Sequence, residues 1–402
     1  MKTTLLLFAS LCLSTLAGQN VLQDLIAANR GTFGEWAADP DKFEIQVLYS
    51  EIERGAEGSV RLKTHRWGAR DTSQYFYPAS SVKLPVAVLA LQRLRELGAT
   101  GLGYQTPLFH GTSTAPASAP QTPAYADPSS PTGLPTVEHY IRKIFLVSDN
   151  DAYNRLFEWL GPTYLNQALH RAGISGGRLQ HRVGVSGFDT ETHAWLNPVR
   201  FANGYETLFQ VGERHDRYFD PLPQIKGQFR GRGYTNNAGD LVQEPFDFSA
   251  KNYLSVRNLH DILLRAVLPE AVPAHQRFQL DSADYALLRL AMGQRPREST
   301  TPAYDKPDNY VKFWIYGDQP EETAIPKRLR IYNKVGWAYG YLTDAAYIVD
   351  AETGAEFILV GTIYVNDNGI FNDGVYEYAT KGLPFFGELG RAVLDYERKK
   401  RR

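Results

Sequence analysis

Ser80 and Lys83 are the first residues in this sequence whose types and spacing could do chemistry. They lie three positions apart at the start of a predicted helix, so their side chains share one face of it. A serine hydroxyl becomes a strong nucleophile when a base takes its proton, and a buried lysine with a lowered pKa can be that base. The spacing is also typical of an N-cap serine and a solvated first-turn lysine, so the pair alone does not decide between the two.

Two further short motifs follow Ser80 in the chain. Residues 148–150, Ser-Asp-Asn, lie where one predicted helix ends and the next begins, a place where all three residue types also act as simple caps. Residues 334–336, Lys-Val-Gly, lie at the end of a predicted strand. Each motif is weak evidence on its own, and the value of the three lies in their combination and order.

Together the motifs resemble the S-x-x-K, S-D-N and K-T-G signature of serine β-lactamases and penicillin-binding proteins. The flanking sequence is similar to class A β-lactamase segments, with YPASSVKLPV over residues 77–86 and TVEHYIRKIFLVSDNDAYN over residues 136–154. The resemblance extends in order over most of the chain after residue 18. Residues 201–250 and 295–326 remain as additions.

The resemblance implies a role for each matched residue. Ser80 would attack a carbonyl carbon, and Lys83 would accept its proton directly or through water. Ser148 and Lys334 would pass a proton to the leaving nitrogen. The backbone N–H groups of Ser80 and Trp337 would form the oxyanion hole. The substrate-binding residues would be Asn150, which holds an amide side chain of the substrate, together with Asn197, Gly336 and Trp337.

The chain departs from the family pattern at two places. The family carries an E-x-x-L-N run whose glutamate activates the water that hydrolyses the acyl-enzyme, whereas residues 191–197 are ETHAWLN. His193 occupies the glutamate position and Glu191 lies two residues earlier, so either could be a displaced base, or neither, with slow deacylation. Val335 replaces the hydroxyl residue of K-T-G, which weakens recognition of a β-lactam carboxylate by roughly 1–2 kcal/mol.

Hydrophobic periodicity predicts the elements that position these residues. Their order is helix, strands, helical block, strands, helix, which lets both chain ends meet on one sheet. We predict helices over residues 21–36, 81–97, 137–147, 152–160, 164–172, 256–267, 282–292 and 385–396, and strands over residues 43–49, 60–64, 329–333, 345–349 and 357–364.

The predicted fold class is α/β (α+β), and the resemblance implies a β-lactamase/transpeptidase-like fold: a mainly antiparallel sheet flanked by helices, plus an all-α domain. We assign residues 19–100 and 327–402 to an α/β sandwich lobe. Residues 101–326 are assigned to a helical lobe with loop-rich insertions near 201–250 and 295–326. The active site is expected between the lobes.

Composition excludes several other classes of protein. Lys and Arg number 43 against 44 Asp and Glu, so no net positive field favours nucleic acid. The basic run at residues 398–402 is interpreted as a solvated helix end. No histidine or acidic spacing predicts a metal site, and no glycine-rich phosphate loop predicts a cofactor. The expected partner is a small-molecule or peptide substrate, and the sequence does not determine the oligomeric state.

The N-terminus predicts export. Residues 1–18 show the charged, apolar and small-residue order of a signal peptide, and the one cysteine, Cys12, lies inside it. We therefore expect a periplasmic or extracellular protein without stable membrane insertion. Three functions stay open: a β-lactamase-like serine hydrolase acting on a cyclic or linear amide, a penicillin-binding D-alanyl peptidase or esterase, and a catalytically silent envelope-binding protein.

Overall fold

A computed structural model describes residues 20–68, 74–119, 121–218 and 225–401 of the chain. The predicted signal peptide and Cys12 lie outside these residues. The helices of the described part are α1 (Val21–Ala28), α2 (Arg30–Ala38), α3 (Lys83–Leu97), α4 (Val137–Val147), α5 (Asn150–Leu160), α6 (Pro162–Arg171), α7 (Val256–Val267), α8 (Ser282–Gly293) and α9 (Leu383–Lys400). The strands are β1 (Gln46–Arg54), β2 (Val60–Gly68), β3 (Leu108–His110), β4 (Trp195–Leu196), β5 (Val199–Asn203), β6 (Glu206–Val211), β7 (Arg214–His215), β8 (Phe229–Arg230), β9 (Gly233–Thr235), β10 (Leu241–Val242), β11 (Phe246–Asp247), β12 (Leu329–Ala338), β13 (Tyr341–Asp350), β14 (Ala355–Tyr364) and β15 (Ile370–Phe371).

Five long strands form one antiparallel sheet in the order β12-β13-β14-β1-β2. The two ends of the chain meet where β1 pairs with β14, from Gln46 opposite Thr362 to Glu51 opposite Phe357. β13 and β14 are buried along almost their whole length, since helices cover both faces of the sheet. This antiparallel sheet with flanking helices and a helical block confirms the predicted fold class, while the residue bounds of the two lobes stay a prediction.

Two apolar cores lie on opposite faces of the sheet. One face packs against α1, α2 and α9 around Trp36, Trp314 and Phe385. The other face packs against α7 and continues into the helical block, where α3 runs through the centre and is buried over most of its length. Because α3 begins at the sheet and ends among helices, its first turn lies at the junction of the two cores.

The helix bounds follow local sequence signals closely. α4 and α7 span the predicted residues, and their starts are fixed by N-cap side chains: Thr136 accepts a hydrogen bond from the N–H of His139, and Ser255 accepts one from Asn258. The predicted helix over residues 21–36 is instead two helices that meet at Asn29. Gly31 and Gly34 lower helix propensity in the second of them.

Tertiary contacts add to two expectations drawn from the sequence. Residues 201–250 contain short paired strands, among them the β5–β6 hairpin, in addition to loops. The basic C-terminal run is a docked helix end and not simply a solvated one. Arg398 pairs with the buried carboxylate of Asp350 at 2.6 Å, and Lys400 pairs with Glu51.

No helix of the described residues is both long and apolar enough to cross a bilayer. No group of three or more histidine, cysteine, aspartate or glutamate side chains is arranged there to hold a metal ion.

Candidate active site

Ser80 lies in a short 3-10 turn, Ala79–Val82, that leads directly into α3. Ala79 adopts a φ of 47°, a left-handed conformation that costs a non-glycine residue free energy and is concentrated at functional sites. The turn is held by Ser81, which donates to the carbonyl of Pro78 from its N–H at 3.0 Å and from its hydroxyl at 2.7 Å. Ser80 is left half-buried and lines a cleft.

Lys83 is fully buried one turn further along. Its Nζ donates to the carbonyl of Ser148 at 2.5 Å, to Oδ1 of Asn150 at 2.6 Å and to Oγ of Ser148 at 3.3 Å. Burial lowers the pKa of Lys83 to about 7, against the opposing charge of Asp149. These three bonds of the amine go to the 148–150 motif, and none of them is made to Ser80.

The 148–150 motif joins two helices, as the sequence predicts. Ser148 ends α4 with a left-handed φ of 57°, and the Asp149 side chain caps α5 by accepting from the N–H of Ala152 at 2.8 Å. Capping and chemistry therefore use different members of one motif. The cap fixes the backbone, and the sharp left-handed turn directs Ser148 and Asn150 towards Lys83.

Lys334, which lies on β12, also contacts the hydroxyl of Ser148. Its Nζ donates to Oγ of Ser148 at 2.7 Å and to the carbonyl of Val335 at 2.8 Å. Burial and then the positive charge of Lys83 lower the pKa of Lys334 well below its ordinary value. Ser148 Oγ thus lies between two amines, an arrangement that can relay a proton along one short path.

Gly336 brings the edge strand β12 against the Ser80 turn. A Cβ at this position would lie 2.3 Å from the carbonyl oxygen of Pro78 and 3.1 Å from the backbone nitrogen of Ser80. Val335 and Trp337 are two residues apart, so their backbone groups point to the same edge of β12. The Val335 carbonyl at this edge accepts a hydrogen bond from Lys334 Nζ. The N–H groups of Ser80 and Trp337 are therefore candidates for a shared oxyanion hole.

These residues enclose a single cleft of about 270 Å³. Its walls come from the Ser80 turn, the α4–α5 junction, β12 and the segment before β12. The lining residues are Ser80, Val147, Ser148, Asn150, Tyr310, Val311, Val335, Gly336 and Trp337.

Comparison with protein-family models decides the family. The model described as "Beta-lactamase enzyme family" matches residues 19–219, half of the chain. The chain belongs to the beta-lactamase enzyme family. It is accordingly an enzyme, a serine hydrolase that works through an acyl-enzyme, and the predicted resemblance is confirmed.

Solved structures of β-lactamases are similar to this chain over nearly its whole length. The β-lactamase of Sphaerobacter thermophilus is 13% identical, with 93% of this chain and 97% of that chain covered and a TM-score of 0.47. The β-lactamase of Streptomyces albus G is 15% identical, with coverages of 92% and 99% and a TM-score of 0.46. A single-substitution variant of PBP-A, in an acyl-enzyme complex with penicillin G, is also similar: it is 14% identical, with coverages of 94% and 97% and a TM-score of 0.49. A comparison with curated protein sequences finds no match.

The family match includes the Ser80 and Ser148 motifs but ends before residues 334–336. The third motif of this β-lactamase-family chain is therefore located by the folded structure, in which Lys334 meets Ser148 across 186 positions of sequence. The structure brings Ser80, Lys83, Ser148, Asn150, Lys334, Gly336 and Trp337 together around one cleft.

The predicted deacylation bases lie elsewhere, which corrects their expected placement. His193 lines a different cavity, beside His181 and Phe188, where burial and the charge of His181 lower its pKa to about 3. Glu191 pairs at the surface with His215 at 2.9 Å. The match of residues 191–197 to the E-x-x-L-N run does not predict their position because the chain between residues 182 and 197 folds around the buried Arg182. This side chain donates to the carbonyl oxygens of His193 and Trp195.

Asn197, predicted as a substrate-binding residue, is also outside the cleft. It is completely buried, and all of its polar atoms are used: Oδ1 accepts from the N–H of Ser113 at 3.0 Å, and Nδ2 donates to Gln121 at 2.9 Å and to Glu158 at 3.3 Å. In this chain Asn197 holds loops together and has no free group to place a water.

Tyr310 and Val311 line the cleft from within residues 295–326, where the sequence predicts only a loop-rich insertion. Lys312 was not predicted as a structural residue either; its buried Nζ donates to Asn333 Oδ1 at 2.7 Å and to two backbone carbonyls. A signal was present: residues 310–316 are YVKFWIY, an apolar and aromatic run that a purely solvated loop does not need.

Proposed function

We propose that this enzyme is an exported, class A-like acyl hydrolase in which Ser80 is acylated by an amide or β-lactam carbonyl. The observation that carries this proposal is the continuous set of hydrogen bonds Lys83–Ser148–Lys334 beside Ser80 in one cleft. Among the described residues that line the cleft, Ser80 is the hydroxyl residue at a helix start, one turn from a lysine whose pKa burial lowers to about 7.

The proposed reaction follows from these contacts. Neutral Lys83 takes the proton of Ser80 as Oγ bonds to the carbonyl carbon. The N–H groups of Ser80 and Trp337 stabilise the developing oxyanion, each by about 3 kcal/mol. The carbon–nitrogen bond then breaks, and the leaving nitrogen receives a proton through Ser148, which Lys334 polarises. Water finally releases the acyl group from Ser80.

Intact-mass spectrometry with penicillin G tests this proposal. We expect a covalent adduct equal to the whole mass of penicillin G, because opening the β-lactam ring loses no atoms. The Ser80→Ala variant is the control and should form no adduct while keeping the parental melting temperature, since Ser80 makes no side-chain cap bond. An adduct of equal yield in Ser80→Ala would refute the proposed nucleophile.

A peptidase-like enzyme with a long-lived acyl-enzyme is the second candidate, and one observation favours it. Among the described residues that line the cleft, none is a glutamate, aspartate or histidine that could activate the deacylating water. The lifetime of the adduct distinguishes these two candidate functions. After brief acylation and removal of free penicillin G, an adduct that persists for many minutes indicates peptidase-like behaviour. An adduct that disappears within seconds indicates a lactamase.

Export is proposed from the sequence alone, on the charged, apolar and small-residue order of residues 1–18. Expression in a bacterial host with separation of the periplasm should yield a chain that begins near Gly18 or Gln19. N-terminal sequencing that finds Met1 on the periplasmic or secreted product would contradict this cleavage.

A further inference from the structure

Tyr310 and Val311 line one wall of the cleft, and the two residues that follow them anchor this wall. The amine of Lys312 donates to the carbonyls of Met292 at 2.8 Å and Ile331 at 2.9 Å. The N–H of Phe313 donates to Oδ2 of the buried Asp344 at 3.1 Å. Tyr310 and Val311 therefore face the cleft from a fixed backbone and not from a loop that has to order when substrate binds.

An aromatic face lies open at this wall. Trp337 is 49% exposed and lines the cleft beside Ser80. Its ring stacks on the buried ring of Phe313, with centroids 5.6 Å apart and an interplanar angle of 4°. The stack fixes the indole, so one of its faces is held ready for a second planar group.

The lining of the cleft carries no side chain that is charged at neutral pH, among the residues that the structure describes. Lys83 and Lys334 are buried and hydrogen-bonded to Ser148, and neither is among the residues that line the cleft. Val335 stands where the family has a hydroxyl. A substrate carboxylate in this cleft would lose water without a charged side chain in the lining to pair with, which disfavours its binding.

We propose that the cleft selects an uncharged acyl donor that carries one aromatic ring, stacked on Trp337 against the wall formed by Tyr310 and Val311. This substrate class rests on the proposed acylation of Ser80. A cleft of about 270 Å³ lies at the small end of ligand pockets, which fits a single ring beside the reacting carbonyl.

Three S-methyl thioesters test the proposal: the phenylacetyl, the 4-carboxyphenylacetyl and the acetyl compound. In each, Ser80 Oγ bonds to the carbonyl carbon, the carbon–sulfur bond breaks, and methanethiol leaves with the proton of Ser80. Water then hydrolyses the acyl-serine. A thiol reagent follows the methanethiol, since the sequence after Cys12 contains no cysteine.

We expect kcat/KM for the phenylacetyl thioester to exceed that for the acetyl thioester by about tenfold or more, from the stacked ring. The 4-carboxyphenylacetyl thioester should be at least about tenfold poorer than the phenylacetyl one. In Tyr310→Ala and Trp337→Leu the phenylacetyl-to-acetyl ratio should fall towards one. We compare the phenylacetyl-to-acetyl ratio of kcat/KM, and not the single values, because the backbone N–H of Trp337 also belongs to the proposed oxyanion hole. A change in that hole would alter both values together.

Lys306→Ala is the matched control. The Lys306 amine lies over the Tyr310 ring, 5.1 Å from its centroid, so it is a cation beside this wall but outside the cleft lining. We expect this variant to leave all three kcat/KM values unchanged. Two results would overturn the substrate class even though Ser80 is still acylated. One is a preference for the carboxylated thioester that Lys306→Ala abolishes. The other is a phenylacetyl-to-acetyl ratio of kcat/KM near one in the parent enzyme. If none of the thioesters nor penicillin G acylates Ser80, the proposed function itself fails, and this inference with it.

Discussion

Replacing Gly336 by alanine perturbs the contact between β12 and the Ser80 turn. The added Cβ would lie 2.3 Å from the carbonyl oxygen of Pro78, 2.9 Å from the N of Ser81 and 3.1 Å from the N of Ser80. Ordinary van der Waals separations begin near about 3.5 Å, so β12 and the turn have to separate by about 1 Å. All three atoms are backbone, so no side-chain rotation relieves the contact.

That separation moves the two oxyanion donors apart, since one belongs to the turn and the other to β12. A misplacement of about 1 Å costs roughly 10²-fold in rate, and the loss of one oxyanion donor costs roughly 10²–10³-fold. We therefore expect acylation of Ser80 to slow by roughly 10²–10³-fold, or about 3–4 kcal/mol in the barrier. The overpacked contact should cost only about 1–3 kcal/mol of stability, so the variant should still fold.

Stopped-flow acylation with a chromogenic β-lactam measures the rate, and a thermal melt confirms folding. Gly103→Ala is the matched control, because its Cβ would meet no atom within 4 Å and its backbone is not left-handed. It should acylate at the parental rate. If the folded Gly336→Ala variant does so as well, the close approach of β12 does not align the oxyanion donors, and our assignment of that site is wrong.

Three further predictions concern the amines and the displaced loop. Because burial lowers the pKa of Lys83 to about 7 and its neutral form is the base, acylation should rise about tenfold per pH unit below about 7 and level off above it; a flat profile from about pH 5 to 8 would contradict this role. His193→Ala and Glu191→Ala should each leave the lifetime of the acyl-enzyme within about twofold, because neither residue lines the Ser80 cleft; accumulation of adduct in either variant by intact mass would identify the base. Lys312→Met should lower the free energy of unfolding in urea by about 3 kcal/mol, because three buried oxygen atoms lose their donor; an unchanged midpoint and slope would show that these bonds add nothing net.

The same buried amine predicts how stability depends on pH. Burial lowers the pKa of Lys312 in the folded state to about 7 from an ordinary value of 10.5. Between these values the unfolded chain binds more protons, so the contribution of Lys312 to the free energy of unfolding increases as pH rises through this window. Lys312→Met should remove that contribution.

Much of the fold could be predicted from sequence because its signals are local. The bounds of α4 and α7 follow from an N-cap residue and a run of apolar residues at helical spacing, all within about a dozen positions. The strand bounds were predicted less well: β12 continues five residues past the predicted end at residue 333, through Lys334 to Ala338. In this added part of β12, Lys334 contacts Ser148 and Gly336 lies against the Ser80 turn. Hydrophobic periodicity does not detect residues that are buried by such distant segments of the chain.

The sequence by itself determined which residues could be catalytic. Ser80 and Lys83 share one helix start, and Ser148 and Asn150 share one helix junction, so each pair is placed by the geometry of a single turn. Only the tertiary structure decided what those pairs meet. Lys334 reaches Ser148 because the order of strands puts β12 at the sheet edge beside the Ser80 turn. His193 has the matching place in the alignment but lies in another cavity, because the buried Arg182 takes its carbonyl and sets the path of the loop. Position along a chain fixes neighbours within a turn, whereas contacts over a hundred residues depend on strand register and burial, and these are properties of the packed whole.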